Sequence, residues 1–277
     1  MKSKSKLLIY TAIQIGILYY FNKKYNNEKM VVKRNSVNSS RNFLNKIFVR
    51  RMLFVGGGKN SGLEIITTFL NQSNSVKIAD YGSTTAIDFK DYVKKIQKKK
   101  ESFIKNAKLK EENIDKAIGL FTYYILSKNT SDTGYVCSVE ERNTLLMEFY
   151  KKIFPNSKFI YLVRDGREVA YSQIEGDKTF KKLLGYLEKW NEFNRVALKN
   201  CQKVGQTSCL LIRYDQLIAN PLYFGEKIMR FLEIDQLANK EIYFESEIYS
   251  SSYERIANYD PNLVKKKFQM LSTLNFI

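Results

Sequence analysis

An arginine and a serine eight residues apart, Arg164 and Ser172, have the chemistry needed to bind a phosphate group. An arginine presents a fork of N–H donors that matches the oxygens of a phosphate, and a serine hydroxyl adds one more donor. The alternative is an ordinary surface ion pair between Arg164 and the neighbouring Asp165. The residue types by themselves leave both interpretations open.

The elements around this pair favour the phosphate interpretation. An apolar run from Phe159 to Val163 follows Pro155 and Asn156, which predicts a buried strand of a parallel sheet. After a turn through Asp165 and Gly166, apolar residues recur with helical spacing. Arg164 and Ser172 therefore flank a strand-to-helix turn at the carboxyl end of a strand, where open α/β sheets bind their ligands.

A second segment, from Gly56 to Gly62, also has the pattern of a phosphate cradle. It lies between a short apolar strand, Met52 to Val55, and a run of apolar residues with helical spacing. Backbone N–H groups of such a loop and the following helix amino terminus can bind phosphate oxygens. No Gly-Lys-Ser/Thr triplet follows, so the loop is not a Walker A motif, and a kinase or NTPase is not indicated.

Composition excludes several other classes of protein. The chain has 277 residues with 44% hydrophobic content, which is enough for one large α/β domain. Its formal net charge of +18 indicates an anionic partner. The absence of histidine excludes Ser-His-Asp and Cys-His catalysis, and three cysteines without a CxxC pair predict no metal site. No signature of a nucleic-acid-binding fold is present, so we expect no nucleic-acid partner.

The chain is predicted to have three parts. Residues 1–21 read as a short amino-terminal signal anchor, 22–50 as a polar stem and 51–277 as the α/β domain. The apolar run from Leu7 to Phe21 is shorter than the ~20 residues of an ordinary membrane span, which suits a thin early-secretory membrane. No small-residue cleavage site follows it, which argues against a cleaved signal peptide. The alternative is an ordinary amphipathic helix.

The segment from Lys158 to Ser172 resembles the 3′-phosphate-binding segment of sulfotransferases that use 3′-phosphoadenosine 5′-phosphosulfate (PAPS). Within that superfamily it is similar to the tyrosylprotein sulfotransferases. Further landmarks of that family follow in the family's order: Ile153 to Phe159, Lys189 to Asn191, Cys201 with Val204 and Gly205, Cys209, and Tyr214 to Leu217.

This resemblance implies a P-loop-like sulfotransferase fold, an α/β domain with a central parallel sheet flanked by helices. It implies PAPS as co-substrate, its desulfated product 3′-phosphoadenosine 5′-phosphate (PAP), no metal, and acidic tyrosine-containing polypeptides as acceptors. It also implies a single-pass type II Golgi membrane protein with a lumenal catalytic domain, and homodimerisation. A disulfide between Cys201 and Cys209 is expected from the family's matching pair, with Cys137 free because its family partner falls on Ile78.

Carried over position by position, the resemblance assigns nucleotide binding to nine residues: Asn60, Ser61, Gly62, Leu63, Glu64, Arg164, Ser172, Tyr214 and Lys267. The phosphate loop nevertheless departs from the family pattern. The family's arginine falls on Asn60, and its two threonines fall on Leu63 and Glu64. Lys59 is the neighbouring cation that can replace the missing arginine.

The catalytic positions depart further. The family's general-base glutamate falls on Tyr81, whose phenol is a weak base at neutral pH, with Asp80 as the nearest carboxylate. The stabilising lysine and serine of the family fall on Val139 and Ile256. The candidate catalytic residues are therefore Asp80, Tyr81 and Lys59.

Three activities stay open at this stage. A protein-tyrosine sulfotransferase agrees with the resemblance, whereas the altered catalytic positions suggest an impaired pseudoenzyme that binds nucleotide or peptide. A carbohydrate or small-molecule sulfotransferase is the third. The cytosolic small-molecule type usually employs a histidine base, which this chain lacks.

Overall fold

A computed structural model describes residue 47 and residues 49–79, 111–127, 134–174, 180–234 and 268–276. All belong to one unit, Lys46–Ile277. The strands are β1 Met52–Gly57, β2 Val76–Ile78, β3 Tyr135–Val139, β4 Lys158–Val163 and β5 Cys209–Arg213. The helices are α1 Leu63–Asn71, α2 Glu111–Leu126, α3 Met147–Ile153, α4 Gly166–Ser172, α5 Phe180–Val204, α6 Tyr214–Ala219, α7 Pro221–Leu232 and α8 Gln269–Thr273, with a 3₁₀ helix at Glu141–Leu146.

The five strands form one parallel sheet in the order β2-β3-β1-β4-β5. β1 lies in the middle, with Phe54 opposite Ser138 of β3 on one side and opposite Phe159 of β4 on the other. The predicted α/β fold with a central parallel sheet is thus confirmed. Since all strands point the same way, the residues that follow β1, β3, β4 and β5 meet at one edge.

Helices cover both faces of the sheet. Successive side chains of each strand point to opposite faces, so each strand contributes to the core on both sides. On β4, Phe159, Tyr161 and Val163 join a core cluster with Trp190 of α5, while Ile160 and Leu162 join a second cluster. The second cluster contains the buried side chains of α1 and α7: Ile66, Phe69, Leu70, Phe224, Ile228, Met229 and Leu232. The near-continuous burial of β1 and β4 follows from this three-layer arrangement.

Several predicted boundaries differ from the structure. The pattern from Glu140 to Lys152 predicts a single helix, whereas the structure has a 3₁₀ helix followed by α3. A strand is predicted from Cys209 to Tyr214, but it ends at Arg213, and Tyr214 begins α6. A helix is predicted from Tyr223 to Leu232, but it begins at Pro221, a residue that suits the first helical position because it has no N–H to leave unbonded. These differences leave the order of the predicted elements unchanged.

The amino-terminal prediction is not tested by the fold. The anchor at 1–21 and nearly all of the stem at 22–50 lie outside the described residues. Within the part of the chain that the structure describes, no helix is both long and apolar enough to cross a membrane. The sequence also predicts two or three helices between Asp88 and Lys128, of which the described residues include α2.

The structure contains the expected disulfide between Cys201 and Cys209. It ties the last turn of α5 to the first residue of β5. Gly205 between them adopts the left-handed conformation, with φ of 85°, that a glycine adopts without strain. Cys137 is free and fully buried in β3, next to Ile78 of β2 in the register.

Candidate functional site

The loop after β1 is a tight turn shaped by two residues with positive φ. Asn60 has φ of 58° and Gly62 has φ of 88°, and the Ser61 N–H donates to the Gly58 carbonyl across the turn at 3.1 Å. Turns with left-handed residues can direct successive backbone N–H groups to one side and bind anions there. Gly62 is the N-cap of α1 without any side-chain hydrogen bond, so the loop leads directly into a helix amino terminus.

The hydroxyl of Ser61 is a candidate ligand-binding group of this loop. Its side chain is 3% exposed, and its Oγ has no hydrogen-bond partner among the described residues. A buried hydroxyl without a partner loses roughly 1–3 kcal/mol of hydrogen bonding that a ligand can restore. The loop therefore fits an oxyanion, with Ser61 and the α1 amino terminus as its donors.

The other loop residues differ in exposure. Lys59 and Asn60 are exposed, Leu63 is half-buried against the α1 side of the core, and Glu64 is exposed in the first turn of α1. An acidic residue in the first turn stabilises the helix dipole, yet it also repels an anion bound at the same terminus. Lys59 is thus the cation of this loop, and Glu64 opposes it.

Arg164 follows β4 directly and is held from two sides. Its Nε donates to Glu168 Oε2 at 2.9 Å, and its guanidinium carbon lies 4.7 Å from the centre of the Tyr214 ring. The backbone carbonyl of Arg164 accepts a hydrogen bond from Trp190 Nε1 at 3.1 Å. Because the side chain is only 13% exposed, these contacts fix the guanidinium plane at the edge of the sheet.

The alternative of an Arg164–Asp165 surface pair is wrong. Asp165 is the N-cap of α4, where its Oδ1 accepts from the Arg167 N–H at 2.8 Å, and its carboxylate pairs with the Arg167 guanidinium. Arg164 pairs instead with Glu168. The aspartate therefore starts the helix, and the helix carries Ser172 at its end.

The two predicted phosphate segments are joined by a direct hydrogen bond. Asn60 Nδ2 of the β1 loop donates to Ser172 Oγ of α4 at 3.0 Å, and Ser172 Oγ donates to the Val169 carbonyl at 2.9 Å. We call this contact the Asn60–Ser172 bridge. It places the residue that stands at the family's arginine position beside the hydroxyl expected to bind the 3′-phosphate.

Tyr214 completes the group. It is 3% exposed, and its ring covers Gly62 so closely that a Cβ on Gly62 would lie 2.3 Å from the ring. The guanidinium carbon of Arg164 lies 4.7 Å from the centre of the same ring. The structure thus brings the phosphate loop, Arg164, Ser172 and Tyr214 to one edge of the sheet.

The expected catalytic residues are described only in part. Val139 ends β3 opposite Val55, and its half-buried side chain packs against the core cluster of α1, so an apolar group stands at the family's lysine position. Asp80, Tyr81, Ile256 and Lys267 lie outside the described residues. The general base and the nucleotide-binding role of Lys267 therefore stay predictions.

Two residues of this edge were missed by the sequence reasoning. Glu168 pairs with Arg164, a contact that their four-residue spacing could have suggested had Arg164 been part of the helix. Asn143 of the 3₁₀ helix is 1% exposed and donates from Nδ2 to the carbonyls of Val55 and Ser138, both at 3.0 Å. It links the ends of β1 and β3, and no pattern in the sequence points to it.

Comparison with known proteins agrees with this geometry. The model of the sulfotransferase family matches residues 54–239, which is roughly two thirds of the chain. The chain belongs to the sulfotransferase family.

The relatives with similar sequences include protein-tyrosine sulfotransferases. The chain is 25% identical over 189 residues to a protein-tyrosine sulfotransferase of Drosophila melanogaster, covering 66% of this chain and 38% of that protein. It is 26% identical over 200 residues to protein-tyrosine sulfotransferase 2 of Gallus gallus, covering 66% and 51%. The chain thus spans between about two fifths and one half of the length of these relatives.

A solved structure agrees on the fold. A sulfotransferase from Alicyclobacillus acidocaldarius superimposes with a TM-score of 0.51 at 13% identity, covering 81% of this chain and 92% of that one. At this identity the likeness concerns the fold.

Proposed function

We propose that this chain is a PAPS-dependent protein-tyrosine sulfotransferase, acting on tyrosines in acidic stretches of secretory proteins. The observation that carries the proposal is the Asn60–Ser172 bridge, because it brings the two segments expected to hold the nucleotide phosphates into contact. Relatives named protein-tyrosine sulfotransferases support the choice of acceptor.

In this proposal Arg164 and Ser172 bind the 3′-phosphate, and Ser61 with the α1 amino terminus binds the 5′ side. Glu168 and the Tyr214 ring hold the Arg164 guanidinium in place before the nucleotide arrives, which reduces the entropy lost on binding. When bound, PAPS supplies the activated sulfonyl group that is transferred to the acceptor. The protein must then accept the phenol proton and stabilise negative charge on the leaving phosphate.

The protein-substrate part of the proposal is supported by charge. A net charge of +18 attracts acidic polypeptides at long range and raises their rate of association. Golgi localisation with a lumenal domain is proposed from the resemblance, and a disulfide between Cys201 and Cys209 suits an oxidising compartment. A homodimer is proposed on the resemblance alone, and sedimentation equilibrium of the full chain tests it.

A second candidate is a pseudoenzyme that binds nucleotide or peptide without transferring sulfate. It is favoured by Asn60 and Val139, uncharged residues at positions where the family has an arginine and a lysine. Removing one charge-stabilising donor from an active site typically costs ~10²–10³ in rate. The enzyme and the nucleotide-binding form of the pseudoenzyme both require nucleotide binding, so binding is tested before transfer.

The binding test is titration calorimetry of the purified full-length chain with PAP. We expect heat of binding by the wild type and an affinity about 10- to 100-fold lower for Arg164→Ala, since charge-assisted hydrogen bonds are lost. Arg195→Ala is the matched control, because Arg195 is exposed on α5 and pairs with Glu192 at 2.6 Å. No binding by a folded wild type would remove both the enzyme and the nucleotide-binding pseudoenzyme.

The transfer test employs radiolabelled PAPS and an acidic tyrosine peptide. If the chain is an active enzyme, Lys59→Ala and Asp80→Ala each lower transfer sharply. If it is a pseudoenzyme, the wild type binds PAP without transfer, and combining Asn60→Arg, Tyr81→Glu and Val139→Lys raises activity above background. Full wild-type turnover that survives both Lys59→Ala and Asp80→Ala would show that the catalytic site lies elsewhere.

A further inference from the structure

A polar cavity lies at the end of the sheet opposite the phosphate loop. Its volume is about 590 Å³, and its lining includes residues that precede or begin strands: Arg51, Tyr135, Lys158 and Ser208. Arg164 follows the other end of the six-residue strand that Lys158 begins. At ~3.3 Å per residue the cavity is about 20 Å from the Arg164 site, so the two are separate.

The lining of this cavity carries more positive than negative charge. Arg51, Lys151 and Lys158 line it, and among the described lining residues Glu233 is the carboxylate that faces them. Glu233 lies 3.2 Å from the Lys158 ammonium and 3.7 Å from the Arg51 guanidinium, but its own side chain is 69% exposed. Three cations against one largely solvated carboxylate leave two positive charges without a counter-charge in the lining.

Two of these cations, Lys151 and Lys158, are tethered at the cavity wall and lie near enough to repel each other. The pKa of Lys151 is lowered, first by burial and then by the charge of Lys158. Lys151 donates to the carbonyls of Pro155 and Ser157, and Lys158 donates to the Thr207 carbonyl at 2.9 Å. Backbone carbonyls thus fix both ammonium groups at the wall, where they repel each other.

The hydroxyl of Ser157 is a further feature of the lining that suits an anionic ligand. The residue is fully buried, and its Oγ has no hydrogen-bond partner among the described residues. It belongs to the cavity lining between Lys151 and Lys158. A ligand oxygen that reached this hydroxyl would satisfy a polar atom that is otherwise left without a partner.

We propose that this cavity is a second anion site, which binds a doubly charged phosphate group. A dianion matches the two unbalanced positive charges, and donors from Arg51, Lys151, Lys158 and Ser157 match its oxygens. The volume lies in the range of small-molecule pockets, which leaves room for an organic group beyond the phosphate. About 20 Å exceeds the ~8 Å screening length of physiological salt, so direct repulsion through solvent between anions at the two sites is weak.

The probes are glucose 6-phosphate, inorganic phosphate and glucose 6-sulfate, titrated into the purified full-length chain at pH 7.5. At this pH a phosphate monoester is mainly a dianion, whereas a sulfate monoester carries one charge. We expect both phosphates to bind and glucose 6-sulfate to bind several-fold more weakly. If glucose 6-sulfate bound as tightly as the phosphates, the proposed match between a doubly charged phosphate and the two unbalanced positive charges would be wrong.

Variants that remove positive charge from the lining test whether the phosphate binds in this cavity. The double variant Lys151→Gln with Lys158→Gln should bind glucose 6-phosphate about 10- to 100-fold more weakly. Lys203→Gln is the matched control, because Lys203 is an exposed lysine of α5 that pairs with Glu148, and neither residue lines the cavity. Unchanged affinity in the double variant contradicts the proposal.

Two further variants keep the test decisive. If the double variant does not fold, Asn156→Asp places a negative charge at an exposed lining residue and should weaken phosphate binding. Arg164→Ala should leave glucose 6-phosphate binding unchanged while it lowers PAP affinity. Loss of both in Arg164→Ala would mean that the phosphate had bound at the nucleotide site, and the second site would be refuted.

Discussion

Replacing Gly62 by alanine tests whether the phosphate loop and Tyr214 are one packed unit. Gly62 has φ of 88°, and an added Cβ would lie 2.3 and 2.4 Å from two carbons of the Tyr214 ring. The new methyl group must therefore accept a left-handed backbone and displace a ring that is almost fully buried. A displaced ring also shifts the support of the Arg164 guanidinium, which lies 4.7 Å from the ring centre.

The size of the effect can be estimated from these two causes. A left-handed conformation costs a non-glycine residue about 1–2 kcal/mol. Forcing an extra carbon into a packed core costs about 1–3 kcal/mol. We expect Gly62→Ala to lower the free energy of unfolding by about 2–5 kcal/mol and to weaken PAP binding as well, since Arg164 loses its fixed position.

Gly58 offers a control in the same loop. A Cβ at Gly58 would lie 3.6 Å from the Phe193 ring, an ordinary contact, and no positive φ is required there. Urea denaturation followed by circular dichroism should show a lower midpoint for Gly62→Ala and little change for Gly58→Ala. Equal stability of the two variants would refute the packing of Tyr214 on the loop.

Three further results are expected. Replacing Cys201 and Cys209 by serine should cost about 2–3 kcal/mol by the loop-entropy estimate for this short loop, measured by urea denaturation; peptide mapping that found three free thiols would contradict it. Asp165→Ala removes a helix cap and a partner of Arg167, so it should lower the melting temperature and weaken PAP binding. Tyr161 Oη donates to Asn194 Oδ1 at 2.5 Å inside the core, so Asn194→Leu and Tyr161→Phe should each destabilise by about 1–3 kcal/mol in denaturation, because each leaves the other buried group without this partner.

The fold could be predicted from the sequence where burial leaves a clear pattern. The run from Phe159 to Val163 is apolar because β4 is covered on both faces, and the same holds for β1. The disulfide was also expected, from the resemblance. Such features are local in the chain, which is why the sequence reveals them.

The site was predicted less completely because its contacts join distant segments. The Asn60–Ser172 bridge spans 112 positions, and it exists only because β1 and β4 are neighbours in the sheet. Trp190 packs in the core and also donates to the Arg164 carbonyl, 26 positions away. Neither contact can be inferred from the types or the spacing of the residues. The order of the strands in the sheet decides which loops come together, and the sequence does not reveal that order.

The central position of β1 has a consequence for how the chain folds. Leu53 pairs with Lys158, so the second edge of β1 is covered only after about a hundred more residues have been synthesised. Ribosomes add ~5–20 residues per second, which leaves that edge open for roughly 5–20 s, and pairing over such distances is slow. We expect pulse proteolysis of nascent chains to find β1 protease-sensitive until β4 has emerged, so the nucleotide cannot assist the early steps of folding.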